Sequence, residues 1–193
     1  MGITYNLIPK IVKKINTKHR KIITKIPPPA AISILKKLRK YEPRSMSGQP
    51  LVVWDWAKGF QVYDRFGNKW LDFSSGVLVS NSGHSCSDIQ NAIIKQVKKG
   101  LLHNYCFPSE IRAVLVEKLA KLAPFPLKKV FLLTTGAEST ETAIKISRTY
   151  GFKIGGKAKI GILSFSGAFH GRTLGAQMIG GIPDLKKWIV NLD

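Results

Sequence analysis

The spacing of hydrophobic positions predicts helices near the start of the chain and a β-rich stretch after them. After the triple proline at residues 27–29, the segment AAISILKKLRKYEP places Ile34, Leu35 and Leu38 on one side, which predicts a short helix that stops before Pro43. Three strand candidates follow: LVVWDWAKG, FQVYD and KWLDF. The Gly-Asn turn in RFGN joins the last two as a hairpin. We therefore expect a small antiparallel meander.

The second half alternates between helical and strand patterns. The segment SDIQNAIIKQVKKG predicts a helix with Ser87 as N-cap and Gly100 as C-cap, and SEIRAVLVEKLAKLAP predicts another that is capped by Ser109. KVFLL (129–133) and KIGILSF (159–165) are strand candidates on either side of a helix that ends at Gly151. Strand–helix–strand spacing of this kind predicts a parallel βαβ unit.

Composition narrows the class of protein. A chain of 193 residues with 44% hydrophobic residues is typical of a globular protein, and it contains no apolar run of membrane-spanning length. Two cysteines, Cys86 and Cys106, indicate a reducing compartment. We expect a cytoplasmic protein, with a mitochondrial location as the alternative.

The formal net charge of +20 is concentrated near the start, because residues 1–44 contain nine Lys and three Arg against Glu42 alone. Three interpretations remain open for this basic leader: a solvated segment, a contact with nucleic acid, or a basic amphipathic helix for targeting or membrane-surface binding. A non-catalytic protein that binds nucleic acid or an anionic membrane is accordingly the alternative function.

A possible anion seat lies in LLTTGAESTETAIK (132–145), where an apolar run stops at small residues and a helix begins. The first N–H groups of a helix have no internal partner and the helix dipole is positive there, so they attract phosphate. Gly136 and Ala137 add no bulk at this point. Nearby hydroxyls offer further donors: Thr134, Thr135, Ser139 and Thr140. The alternative is a tight connection in which Thr135 or Ser139 caps the helix.

The segment SGAFHGRT (166–173) follows the next predicted strand and presents Phe169 and His170 between two glycines. An aromatic ring at a strand end can stack on a flat ligand, whereas core packing and a structural histidine are the alternatives. Because neighbouring parallel strands end at the same sheet edge, one ligand could meet both this ring and the anion seat. His84, Cys86, His103 and Cys106 are poorly spaced for zinc, and no metal is expected.

Three blocks together resemble the class III aminotransferases, pyridoxal-phosphate enzymes of fold type I: VWDWAKGFQVYDRFGNKWLDFSSGVLVSNSGH, FLLTTGAESTETAIKISRTYG and KIGILSFSGAFHGRTLGAQMIGG. The resemblance covers about residues 27–193. It implies an α/β fold with a basic leader and helix at 1–45, the N-terminal meander and helix of the small domain at 46–105, and the first βαβ part of the large, mainly parallel-sheet domain at 106–193.

By this resemblance, pyridoxal 5'-phosphate is the cofactor. The backbone N–H groups of Gly136 and Ala137 hold its phosphate, Phe169 stacks on its pyridine ring and His170 lies beside it. The block containing Ser75, Gly76 and Val77 lies near the substrate entrance, and Arg172 is structural. The resemblance further implies a homodimer that moves an amino group from an amine or ω-amino acid, 4-aminobutyrate-like, to a 2-oxo acid such as 2-oxoglutarate.

The chain departs from the family at two points. GHSCS stands where members usually have GHxHP. In addition, none of the 24 lysines matches the family's Schiff-base motif, and the aspartate that pairs with the ring nitrogen is not matched either. We therefore expect the N-terminal half of an aminotransferase, truncated or one piece of a split protein, that is inactive when it is alone.

Overall fold

The computed structural model describes residues 5–46 and 48–190, which divide into two units at Tyr105 and Cys106. The first unit contains strands β1 Ile15–Asn16, β2 Lys21–Ile22, β3 Trp56–Lys58, β4 Gln61–Tyr63 and β5 Lys69–Leu71, in the sheet order β1-β2-β5-β4-β3. All neighbours are antiparallel.

The predicted meander is confirmed as β3, β4 and β5. The hairpin at RFGN sets Val62 opposite Trp70, and Val62 is only 1% exposed. On the other face Trp56 is paired with Tyr63, and their rings stack at 3.7 Å. Cross-strand aromatic pairs of this kind fix the register of a sheet.

The amphipathic helix considered for the basic leader is wrong, because the leader forms a β-hairpin. Ile15 pairs with Ile22 across a turn in which Thr17 and Arg20 exchange hydrogen bonds, and an isolated bridge joins Lys10 to Ile26. β-Branched isoleucines favour extended backbone, and only one face of the hairpin has to be apolar. Ile22 fills that face and is 2% exposed.

Asn68 joins the leader to the meander. Its side-chain oxygen accepts hydrogen bonds from the N–H groups of Ile23 (2.8 Å) and Thr24 (3.3 Å), while its amide donates to Asp64 and to the Thr24 hydroxyl. The side chain is almost fully buried. A buried amide with all of these bonds made holds two distant segments together.

The helices of the first unit are α1 Ile32–Tyr41, α2 Ser75–Leu78 and α3 Ser87–Lys98. The helix predicted before Pro43 is confirmed as α1, which buries Leu35. For α3 the predicted caps were each one residue late: Cys86 is the N-cap and Lys99 the C-cap, and Gly100 follows with φ +76°. A glycine just beyond the C-cap is the usual place for this left-handed conformation.

The second unit contains α4 Glu110–Leu122, α5 Gly136–Gly155 and α6 Leu174–Met178. Ser109 is the N-cap of α4, as predicted, although its side chain makes no capping bond. The helix α5 runs past the predicted end at Gly151. There the returning chain lies against the helix, since a Cβ on Gly151 would collide with the carbonyl oxygen of Lys159.

The predicted parallel pairing of 129–133 with 159–165 is wrong for the described residues, because neither segment forms a strand there. An extended segment becomes a strand only when a neighbour completes its backbone hydrogen bonds, and these two do not pair with each other. Within residues 5–46 and 48–190, the helices lack the length or the apolar character needed to cross a membrane.

Candidate functional site

The start of α5 is held by a reciprocal cap. The Thr135 hydroxyl accepts a hydrogen bond from the N–H of Glu138 (3.1 Å), and the Glu138 carboxylate accepts one from the N–H of Thr135 (2.9 Å). The hydroxyl of Thr134, then that of Thr135, also donates to this carboxylate, and these bonds lower the pKa of Glu138. Thr135 is therefore the N-cap of α5, as one of the two alternatives in the sequence analysis predicted.

The four hydroxyls predicted as phosphate donors are all engaged inside the helix start. Thr134 and Thr135 donate to Glu138, Ser139 donates to the carbonyl of Thr135 (3.0 Å), and Thr140 donates to that of Gly136 (3.1 Å). Short hydroxyl side chains commonly bond to nearby backbone and carboxylate acceptors in this way, and a role of these hydroxyls as phosphate donors stays a prediction.

The backbone donors of the anion seat remain. Gly136 and Ala137 are the first two residues of α5, where the helix offers no carbonyl to the N–H groups, and the reciprocal cap uses the N–H groups of Thr135 and Glu138 instead. A Cβ built on Gly136 meets nothing within 4 Å, so the space beside this N–H is open. A phosphate group fits such a position, at the positive end of a helix of 20 residues.

The two predicted motifs lie directly against each other. Gly171 of the HGRT segment has φ +129°, and a Cβ there would stand 2.7 Å from the Cβ of Ala137 and 3.1 Å from that of Ala176. Only glycine permits this approach, because a side chain would collide and the backbone conformation is itself unfavourable for other residues. The turn at Gly136 and Ala137 is thus in contact with the segment that carries Phe169 and His170.

Phe169 is 57% exposed and His170 is half-buried. Among the described residues this ring is not packed into a core, so it is accessible to a ligand. The loop before it is fixed by hydrogen bonds from Gly167 to the carbonyl of Gly181 (2.9 Å) and from Gly181 to that of Ala168 (2.8 Å). The seat at α5 and this fixed, exposed ring together fit a ligand with a phosphate and a flat ring.

Sequence reasoning missed Glu141, which connects α5 to the start of α6. Its carboxylate accepts a hydrogen bond from the N–H of Ala176 at 3.1 Å and another from the side chain of Thr173. The sequence places Lys145 four residues later, the spacing of a surface ion pair on a helix, so nothing marks this carboxylate as internal.

Ser75, Gly76 and Val77 lie in the first unit, in α2, which is a single left-handed turn. Residues 75–78 have φ values of 50°, 61°, 64° and 67°. A left-handed turn is unfavourable for side chains with a Cβ, and most of all for a β-branched valine. No pattern of residues predicts this turn, although backbone strain of this kind is concentrated at functional sites.

Asp72 anchors the left-handed turn. Its carboxylate accepts hydrogen bonds from the hydroxyl and N–H of Ser74 (2.7 and 2.9 Å), from the N–H of Gly76 (2.7 Å) and from the ring of His84 (2.7 Å). The Ser74 hydroxyl, then His84 and the two N–H groups, hold the pKa of Asp72 well below its ordinary value of 3.8, although burial opposes the shift. His84 reaches Asp72 because its backbone pairs with Gly59.

The described parts of the chain contain no group of three or more side chains suited to a metal ion.

Comparison with known proteins identifies the family. Residues 44–183 match the family described as aminotransferase class-III. The chain therefore belongs to the class-III aminotransferase family, and membership implies pyridoxal 5'-phosphate as the cofactor.

Similar proteins agree with this assignment. An acetylornithine aminotransferase of Clostridium acetobutylicum is 38% identical over 134 residues, which are 68% of this chain and 34% of that protein. The 5-aminovalerate aminotransferase DavT of Pseudomonas aeruginosa is 35% identical over 147 residues, which are 74% of this chain and 32% of that protein. The chain thus spans about a third of the length of these curated relatives.

Solved structures show the same fold. An (S)-enantioselective omega-transaminase from Thermomicrobium roseum superposes with a TM-score of 0.73 at 28% identity, covering 83% of this chain and 38% of that one. An adenosylmethionine-8-amino-7-oxononanoate aminotransferase from Methanocaldococcus jannaschii gives 0.69 at 29% identity, covering 77% and 36%. The predicted fold class, α/β of fold type I, is confirmed.

Proposed function

We propose that this chain supplies the phosphate seat and the ring-contacting side chain of a pyridoxal-phosphate-dependent aminotransferase. The observation that carries this proposal is the contact between Gly171 and Ala137, which joins the open N–H groups of α5 to the segment that presents Phe169. In this proposal Gly136 and Ala137 donate to the phosphate, Phe169 stacks on the pyridine ring, and His170 lies beside it.

The chain's own part in the chemistry is to bind and orient the cofactor. Two backbone donors and the positive end of α5 fix the phosphate, and Phe169 then limits how the ring can rotate about it. When bound, the cofactor supplies an electron-withdrawing ring that stabilises charge next to the amino-bearing carbon.

For the substrate we propose an amine or ω-amino acid donor, 4-aminobutyrate-like, with a 2-oxo acid such as 2-oxoglutarate as acceptor. The names of two relatives specify acetylornithine and 5-aminovalerate, which both present an amino group at the end of an aliphatic chain. In the first unit a cleft of about 860 Å³ is lined by Gly76 and Val77 of the left-handed turn together with apolar side chains such as Leu38, Val52 and Trp54. Such walls suit a methylene chain.

A substitution at Gly136 tests the phosphate seat without breaking the helix. Proline is well tolerated as the first residue of a helix, and Thr135 already has the extended backbone that a following proline requires. Gly136→Pro therefore deletes one N–H donor and leaves α5 in place. The matched control Gly136→Ala keeps the donor.

The expected result is that pyridoxal 5'-phosphate affinity, measured by equilibrium dialysis, falls about tenfold or more in Gly136→Pro and changes little in Gly136→Ala. Circular dichroism at 222 nm checks that α5 is retained. Equal affinity in the two variants, or no binding by the wild type, contradicts the proposal.

We further propose that the reactive lysine is not among the 24 lysines of the chain, since none of them matches the family motif. The isolated chain should then show no transaminase turnover with any amino donor, and cofactor-dependent turnover would refute this. A homodimer and a cytoplasmic location complete the proposal. Sedimentation equilibrium tests the first, and the distribution of a tagged chain between cytosol and mitochondria tests the second.

A second candidate function is attachment of the basic leader to an anionic membrane surface. The hairpin displays exposed lysines next to exposed isoleucines: Lys10, Lys13, Lys14, Ile8 and Ile11. Cations combined with apolar side chains favour a lipid surface over nucleic acid, which would be contacted by cations and stacking rings.

Vesicle sedimentation tests this second candidate. Replacing Lys13 and Lys14 with Glu should abolish binding to vesicles that contain phosphatidylserine, whereas the same change at Lys98 and Lys99, at the C-terminal end of α3, should not. Wild-type binding to single-stranded RNA without vesicle binding would assign the leader to nucleic acid instead.

A further inference from the structure

The carboxylate of Glu141 lies between the phosphate helix and the segment that carries the ring-contacting residue. Glu141 is in the second turn of α5, and its Oε1 atom accepts a hydrogen bond from the N–H of Ala176 at 3.1 Å. The side chain of Thr173, which is the N-cap of α6, also donates to it, as does the N–H of Gly175. One carboxylate on α5 therefore accepts hydrogen bonds from three residues at the start of α6.

The neighbouring residues leave no room for this contact to shift. A Cβ on Gly175 would stand 3.1 Å from the Cδ and Oε1 atoms of Glu141, and Ala176 is completely buried. Gly171 is held between Ala137 and Ala176. The segment is therefore closely packed against its neighbours before Arg172, at Gly171, and after it, at Gly175 and Ala176.

Glu141 makes these bonds as a charged group. The Thr173 side chain, followed by the N–H groups of Ala176 and Gly175, lowers the pKa of Glu141, and partial burial opposes the shift. Hydrogen bonds to an ionised acceptor are roughly twice as strong as bonds between neutral groups. Replacing the carboxylate with an amide of the same shape should consequently loosen the contact without creating a cavity.

We propose that Glu141 is a positioning residue that fixes Phe169 and His170 over the phosphate seat. This inference rests on the proposed function. Only two residues, Gly171 and Arg172, separate His170 from Thr173, so a contact at Thr173 and Ala176 limits the movement of the ring-bearing segment relative to α5. The hydrogen-bond donors to the Glu141 carboxylate are Thr173, Gly175 and Ala176, and the N–H groups of Gly136 and Ala137 are not among them. Glu141 should affect how the ring is held and not how phosphate is held.

The test compares two ligands across three forms of the complete chain. Affinities for pyridoxal 5'-phosphate and for inorganic phosphate are measured for the wild type, for Glu141→Gln and for the control Glu117→Gln, whose carboxylate is exposed on α4 and pairs with Lys121. In Glu141→Gln we expect pyridoxal 5'-phosphate affinity to fall about tenfold while inorganic phosphate affinity stays within about twofold. The control should match the wild type for both ligands.

A pH series adds a readout that a purely structural role would not give. The ionised form of Glu141 is the form that makes the contact, so the advantage of the wild type over Glu141→Gln should shrink as the pH falls below the ordinary glutamate value of 4.5. The ratio of the two affinities is used, because the ionisation of the ligand affects both proteins alike. If Glu141→Gln fails to fold, Thr173→Val removes one donor and should show the same split at about threefold.

The outcomes are distinct. Equal pyridoxal 5'-phosphate affinity in wild type and Glu141→Gln overturns the positioning role and leaves the proposed function standing. A parallel loss of both ligands also overturns it, because the residue would then act on the helix as a whole. A wild type that binds pyridoxal 5'-phosphate no more tightly than inorganic phosphate overturns the proposed function and this inference together.

Discussion

The two units differ in how they complete their backbone hydrogen bonds. In the first, five short strands form one antiparallel sheet: hairpins join β1 to β2 and β3 to β4 to β5, and β2 pairs with the distant β5. Asn68 closes the connection between the leader and the meander. In the second, three helices form, whereas 129–133 and 159–165 stay extended without strand partners among the described residues. Helices satisfy their own backbone and strands depend on neighbours, so the second unit shows well-formed helices beside unpaired segments.

The unpaired segments of the second unit carry exposed apolar side chains. Ile22 and Val62 fill the sheet of the first unit, while Leu163 in the second is 91% exposed, and Phe131 and Phe165 are also largely exposed. Contiguous exposed apolar side chains on extended segments indicate a surface that is built to be covered. We therefore expect the free energy of unfolding to depend on buried polar side chains in the first unit and on helix caps in the second.

Loss of Asn68 should have the largest effect on the first unit. Asn68→Ala removes the acceptor of the Ile23 N–H and leaves Asp64 without one of its buried donors, so the free energy of unfolding should fall by about 3 kcal/mol. Urea denaturation measures the loss, and amide exchange should rise at residues 22–24. The exposed Asn104→Ala serves as control and should change the free energy of unfolding by less than about 0.5 kcal/mol. A similar loss in both variants would show that the buried hydrogen bonds of Asn68 add no stability to the first unit.

Asp72→Asn should cost the first unit about 2 kcal/mol, because the amide cannot accept all four hydrogen bonds that the carboxylate accepts. The pKa of Asp72 is depressed in the folded state, so its contribution is complete above the ordinary value of 3.8 and declines as the pH falls below that value. The stability difference between wild type and variant should shrink over that acidic range in urea titrations. A difference that does not change with pH would show that Asp72 acts through packing alone.

The smallest effect is expected at the helix ends of the second unit. Thr135→Ala removes a cap that makes its hydrogen bond, and it should lower the free energy of unfolding by about 1 kcal/mol. Ser109→Ala removes a cap residue whose side chain makes no such bond, and it should cost less than about 0.5 kcal/mol. Thermal denaturation followed at 222 nm measures both, and equal losses would show that the reciprocal cap adds nothing.

Local signals in the sequence were sufficient where a structure depends on nearby residues. The turn at RFGN, the helix before Pro43 and the role of Thr135 as a cap all follow from contacts within a few residues. The proximity of Gly136 and Ala137 to the HGRT segment was predicted from two neighbouring parallel strands. The contact is present in the structure, although the described residues do not show that strand pairing. The roles of these residues in cofactor binding remain predictions.

Features that depend on distant partners were predicted wrongly or not at all. The apolar spacing of the leader is compatible with an amphipathic helix. Its extended backbone is instead stabilised by the side-chain oxygen of Asn68, more than forty positions away. The Glu141 contact depends on Ala176, which lies 35 positions further along. The Asp72 side chain that anchors the left-handed turn at 75–78 is held by His84, which lies 12 positions further along. In each case the deciding interaction joins residues whose proximity no local pattern encodes.

The hairpin in the leader has a consequence for proteolytic processing. Removable targeting signals can be cut away because the mature domain folds without them. Here cleavage before Pro27 would remove two of the five strands and the buried side chain of Ile22. The side-chain oxygen of Asn68 would also lose the N–H group of Ile23 that donates to it. A peptidase acting at this place would damage the first unit. The basic segment should therefore persist in the mature protein, and a cleaved product of that size should be degraded.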